Sequence, residues 1–217
     1  MNTILHLNDQ LMQAPVGILV ALLSIALGYL LKSAQFFPNN RIPLADDRRN
    51  CFACAMSRPY EEILNGQKVL RDAPGVRHEL ICDRLHQLLL ASVTDITGIH
   101  LPAPRTAVRL APHVHLCPDL VLINTATGGI FLAVEVVSRD DHRPDTVTKK
   151  DIYDSYKVSR LWMVDPRYDN VEVYHQSEFG LRLQTILAGR EVLSEKLLPE
   201  FAVGITELFA GRFEGER

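Results

Sequence analysis

Asp119 and Glu135 are acids set inside two otherwise apolar runs, "CPDLVLI" and "FLAVEVVS", and Lys149 follows in "DTVTKKDIYDSYKV". An ionised carboxylate out of water costs several kcal/mol unless something compensates it. Two carboxylates side by side make the cost worse, because like charges oppose joint ionisation. A hard divalent cation resolves the conflict: Mg²⁺ is held by one or two carboxylates together with waters and substrate phosphates. Two plainer solutions remain open at this level, a protonated pair or two acids at a solvated strand edge. Lys149 adds an ammonium that can pair with a phosphate as a point charge or stabilise a developing hydroxide. Its plain alternative is a snorkelling lysine whose stem covers Tyr153.

The elements around these residues must bring them together. Each run has the aliphatic, β-branched character of a strand, and "NTATGG" between them suits a reversal. Folding back about Thr127 sets residue 119 opposite residue 135 on one face of the sheet, where opposed Cβ atoms lie ~4.5–5.5 Å apart. A slip of one residue would separate the two faces. The next segment reads as a helix with Asp145 at its N-cap. On it Lys149, Ile152, Tyr153 and Tyr156 share a face at three- and four-residue steps, while Lys150 points elsewhere. "RLWMVD" is a buried strand, which makes a strand–helix–strand unit whose crossover is right-handed. "HELICDRLHQLLLASV" is an amphipathic helix after the Pro74–Gly75 turn. "TAVRLAP" is a short strand, "NVEVYHQ" and "GLRLQTIL" are a strand pair, and "ELFA" lies in a short terminal helix. The fold class is α/β, with a mixed α+β sheet.

These segments, with "YEEILNGQ" as an opening hairpin and "LLPEFAVGITELF" as a closing segment, resemble the Uma-two-type putative restriction endonuclease family. That family is a branch of the PD-(D/E)XK nucleases, and the likeness spans about Arg58 to Leu208. The resemblance implies a restriction-endonuclease-like core, a central mixed sheet flanked by helices, with Asp119 and Glu135 as metal ligands. It implies Mg²⁺, or Mn²⁺, as cofactor and DNA as partner, with a homodimer left open. The superfamily's usual lysine position, two residues after the second acid, is here Val137. Lys149 stands where this branch carries its lysine on the following helix. Glu62 matches an acid of the opening hairpin and His78 a histidine that starts the first helix. Glu79 is placed to act as the first-helix acid that joins the metal site in many superfamily members. Arg139, Arg143 and Lys150 are candidates for phosphate contacts that carry no sequence information. The chain departs from the family at "SRDDHRPD", in place of a Ser-Pro-rich turn, and at Lys157, where glycine is common.

Composition sets the bounds. The 217 residues, 47% hydrophobic, allow one domain with a real core plus an extension. A net charge of -3 announces no nucleic-acid binder, so phosphates need a local patch or a metal. Cys51-Phe-Ala-Cys54 is a lone CxxC without the four ligands that zinc patterns require. Residues 1–55 form the extension and residues 56–217 the nuclease-like domain. Within the extension "VGILVALLSIALGYLL" is apolar, and the stretch 11–31 is just long enough to span a bilayer as a helix. Lys32, Arg41, Arg48 and Arg49 follow it, which would place the domain in the cytoplasm behind a single-pass anchor. Two other readings compete, an ordinary buried helix or a start assigned too early, since Met56 opens a natural beginning. A membrane is a partner only if residues 11–31 are expressed and inserted. Beside the nuclease stands a second function class, a catalytically silent binding module that keeps the fold, with or without a membrane tether.

Overall fold

The computed structural model describes residues 58–94, 96–137 and 144–211; the N-terminal apolar helix and its membrane reading fall outside them, as do Arg139 and Arg143. No helix among the described residues is long and apolar enough to cross a membrane.

The described residues open with a hairpin, β1 (Tyr60–Leu64) and β2 (Gln67–Arg71). Asn65 and Gly66 turn it with φ of 51° and 85°, the left-handed pair that a two-residue hairpin requires. The long helix α1 (Val76–Val93) follows Gly75 and buries Ile81, Cys82, Leu85 and Leu89 along one stripe. Then come β3 (Ile99–His100), β4 (Val108–Ala111), β5 (Val114–Leu116), β6 (Leu120–Asn124) and β7 (Ile130–Val136). A wide π-helical turn, Pro144–Lys149, passes into α2 (Lys150–Ser155). This helical segment begins one residue before Asp145, so the N-terminal boundary is not at the cap position expected from sequence. The chain closes with β8 (Arg160–Asp165), β9 (Asn170–Ser177), β10 (Gly180–Ala188), β11 (Val192–Glu195), β12 (Leu198–Gly204) and α3 (Ile205–Leu208).

Six strands form the central sheet in the order β10-β9-β8-β7-β6-β3. β7 and β8 are parallel, joined by the π turn and α2, and the other neighbours are antiparallel, so the sheet is mixed. A four-stranded sheet, β2-β1-β5-β4, and the β11–β12 pair complete the strands among the described residues. The β6–β7 ladder pairs Leu120 with Val134, Val121 with Ala133 and Leu122 with Leu132, all straddling Thr127, before a bulge shifts Ile123 onto Ile130.

Each face of the central sheet has its own core. Leu120, Leu122, Leu132, Val134, Val136 and Trp162 pack with Ile81, Leu85 and Leu89 of α1. Val121, Ile123, Ala133 and Met163 pack with Ile152 and Tyr153 of α2 and with Leu64, Val108 and Leu116 of the four-stranded sheet. Alternate residues of β6 and β7 therefore serve opposite layers, as strand geometry demands.

Candidate active site

By the alternation along β7, Glu135 falls between Ala133 and Val137 on the α2 side of the sheet. It is 1% exposed, which rules out a solvated strand edge. Lys149 Nζ donates to its Oε2 at 2.9 Å, and the Tyr153 hydroxyl donates to its Oε1 at 2.5 Å. The shared face of Lys149, Ile152 and Tyr153 delivers both donors: three- and four-residue steps stack these side chains over β7. The Tyr153 hydroxyl is held protonated, its pKa pushed well up by burial and then by the Glu135 charge. Lys149 is 1% exposed, so it is no snorkelling surface lysine.

The second carboxylate on Lys149 is Glu62, with Oε1 3.0 Å from Nζ. Glu62 is wholly buried, accepting from Arg71 Nε at 2.8 Å and from the Cys117 N–H at 2.8 Å. The opening hairpin thus sets an acid, braced by its own guanidinium partner, against the ammonium. Burial, and after it the Glu62 charge, pushes the Cys117 thiol up to about 11.

Asp119 sits one residue before β6 and engages different partners. Its Oδ2 accepts the Val136 N–H at 2.8 Å, so the side chain links this strand end to β7. Its Oδ1 lies 2.8 Å from His78 Nε2, at the start of α1, and 3.2 Å from Arg105 Nε. Burial would raise its pKa, yet His78, Arg105 and Lys149 outweigh that and hold it at about 2. Asp119 is therefore ionised rather than half of a protonated pair. Glu79, also on the first turn of α1, has Oε1 2.9 Å from Arg105 Nη2. Burial raises the pKa of Glu79 against the pull of Arg105.

The five residues Asp119, Glu135, Lys149, Glu62 and His78 belong to one buried region around the β6–β7 strand ends, and Glu79 joins it through Arg105. Lys150 stands apart, its ammonium 5.2 Å above the Tyr174 ring. The sequence did not disclose Arg71, Arg105 or the role of Tyr153. Tyr153 carried a usable signal, four residues after Lys149 on the same helical face. Arg105 carried none, because it is joined to Asp119 only by tertiary folding.

The donor set has the chemistry of a hard-cation site. Asp119 and Glu135 offer only carboxylate oxygens, and among the described residues no group of three or more His, Cys, Asp and Glu side chains forms a ready-made metal cage. Carboxylate oxygens are hard donors, the type that Mg²⁺ accepts together with waters and phosphates.

A family model described as Uma2, putative restriction endonuclease, matches residues 56–206. The chain belongs to the Uma2 family. Its fold is also found in a crystal structure of a putative nuclease from Anabaena variabilis. That structure is matched with a TM-score of 0.61 and 13% identity over 70% of this chain and 90% of the other. No curated protein matches. The Uma2 membership and the shared fold make this chain nuclease-like. One departure from the Uma2 pattern has a structural outcome: Lys157 has a φ of 55°, the left-handed conformation that glycine adopts freely.

Proposed function

We propose that this chain is a Mg²⁺-dependent endonuclease that hydrolyses DNA phosphodiester bonds. The observation that carries the reading is the buried Glu135–Lys149 pair beside an Asp119 held ionised. Asp119 and Glu135 would hold the ion, with the Val136 carbonyl as a further oxygen ligand. The chemistry supplied by Mg²⁺ or Mn²⁺, when bound, is polarisation of the scissile phosphate and a lowered pKa for a coordinated water. Tyr153 and Lys149 fix the Glu135 carboxylate from two sides, and the Val136 N–H fixes Asp119. The Lys149 ammonium orients the attacking water or offsets charge that develops at phosphorus. Glu62, itself held by Arg71, keeps that ammonium in place.

A nicking assay on supercoiled plasmid with Mg²⁺ or Mn²⁺ tests the reading. Asp119→Ala and Lys149→Ala should each lose at least ~100-fold in rate, the order seen when a preorganised charge stabiliser is removed. Equal cleavage by wild type and both variants would remove these residues from the chemistry.

One observation favours a second reading, a catalytically silent nuclease-fold binding module. Each acid already has a cationic partner, Arg105 for Asp119 and Lys149 for Glu135, and Asp119 has the His78 imidazole beside it as well, so the protein alone already supplies counter-charge at the site. A melting temperature indifferent to Mg²⁺ and Mn²⁺ supports this module, since a ligand that binds only the folded state stabilises it.

A further inference from the structure

We propose that Arg105 is the phosphate receptor of this site, stored on Asp119 and Glu79 until a phosphodiester displaces it. The inference rests on the nuclease reading and adds to it the residue that recognises substrate. The Arg105 side chain is only 10% exposed and spans two acids, Nε 3.2 Å from Asp119 and Nη2 2.9 Å from Glu79. Both contacts are close enough to attract, yet Nε, Nη2 and both Glu79 oxygens lack an aligned hydrogen-bond partner. A buried guanidinium with misaligned donors keeps unused directional capacity, and burying it that way is costly. Its planar fork matches two oxygens of one phosphate.

The backbone beneath it is fixed. Arg105 N–H donates to the Asp119 carbonyl at 3.1 Å, and the Thr106 N–H and hydroxyl both donate to the Ala103 carbonyl. Arg105 holds a φ of 55°, a conformation that a non-glycine residue keeps only where its surroundings over-determine it. The root of the side chain is thus anchored while its tip can change partner. Asp119 Oδ1 is shared by His78 and Arg105, so a divalent cation held by Asp119 would compete with the guanidinium. Released from Asp119 and still near Glu79, Arg105 is free to take the phosphate.

The test separates metal from phosphate. Mn²⁺ affinity is read by the electron paramagnetic resonance of free Mn²⁺. Binding of a short duplex oligonucleotide in Ca²⁺ is read by fluorescence anisotropy across a KCl series. Arg105→Gln should bind Mn²⁺ as tightly as wild type or up to ~10-fold tighter, because a competing cation is gone. It should bind the oligonucleotide ~10-fold more weakly, with a salt slope shallower by about 1. Arg105→Lys keeps the charge and should keep the salt slope while losing part of the affinity. Weaker Mn²⁺ binding in Arg105→Gln, or an unchanged oligonucleotide affinity and slope, overturns the assignment. If Arg105→Gln does not fold, Arg105→Lys decides alone, and unchanged oligonucleotide affinity in it overturns the proposal. Wild type that binds no Mn²⁺ overturns the nuclease reading itself, an outcome distinct from an Arg105 variant with no phenotype.

Discussion

A lysine ammonium removed almost completely from water owes its charge to its partners, and those of Lys149 include Glu62 at 3.0 Å and Glu135 at 2.9 Å. Taking away one member of such a buried set leaves uncompensated charge, which costs about 3–5 kcal/mol. Lys149→Met, close in volume and neutral, should lower the urea-unfolding free energy by that amount; a loss under ~1 kcal/mol would mean that the carboxylates do not need the ammonium. Asp119 gives a pH test with the opposite partner set. Its carboxyl is held at about 2 against an ordinary 3.8, chiefly by His78 and Arg105 overcoming the penalty of burial. A folded pKa below the unfolded one means the unfolded chain binds protons first as the pH falls. The contribution is therefore complete above about pH 4 and drains away as pH drops toward 2, on the order of 2 kcal/mol in all. The slope of unfolding free energy against pH between 4 and 2 should be shallower in Asp119→Asn than in wild type. Identical slopes would show that Asp119 is not held below its ordinary range.

At the level of elements, the end of α2 carries an avoidable strain. The Val158 N–H donates to the Tyr153 carbonyl and the Lys157 N–H to the Asp154 carbonyl, the paired bonds of a Schellman cap. That cap sets Lys157 at a φ of 55°, a conformation that costs an L-residue ~1–2 kcal/mol. Glycine removes this cost but adds unfolded-state entropy, so Lys157→Gly should gain about 0.5–1 kcal/mol in urea unfolding. The Lys157–Asp154 pair lost with it spans 3.9 Å between exposed groups and offsets little. A destabilised variant would contradict the strain argument. The same element shows why sequence revealed part of the site. Lys149, Ile152 and Tyr153 repeat with the helical period, and β6 and β7 alternate about one turn, so local pattern suffices for α2 over Glu135. Asp119 was legible as an acid but not through its partners. His78 and Arg105 lie 41 and 14 residues away in sequence, and no periodicity encodes a contact between a helix start, a loop and a strand end. The shortest strands, β3 and β5, escaped for a related reason: two and three residues give too few alternations to separate a strand from a loop.

The whole molecule bears a net charge of -3, and the site gathers four carboxylates, Asp119, Glu135, Glu62 and Glu79, around Lys149, Arg71 and Arg105. A polyanion approaching this arrangement meets a region that the permanent cations do not fully neutralise, in a protein with no long-range attraction to offer. On the proposed nuclease reading, binding of DNA should then depend on added positive charge. In EDTA, affinity for a short duplex should be no better than the weak non-specific range of about 10⁻⁴–10⁻⁶ M. Ca²⁺ should tighten it by at least ~10-fold, equivalent to about 1.4 kcal/mol. Asp119→Asn separates the two charge effects: with one anion removed it should bind somewhat better than wild type in EDTA, yet gain little from Ca²⁺. Anisotropy titrations of both proteins, with and without Ca²⁺ at fixed ionic strength, give the four affinities. Equal wild-type affinity in EDTA and Ca²⁺ would place DNA binding, if any, away from the acid pair, and the buried charges would then serve the fold alone.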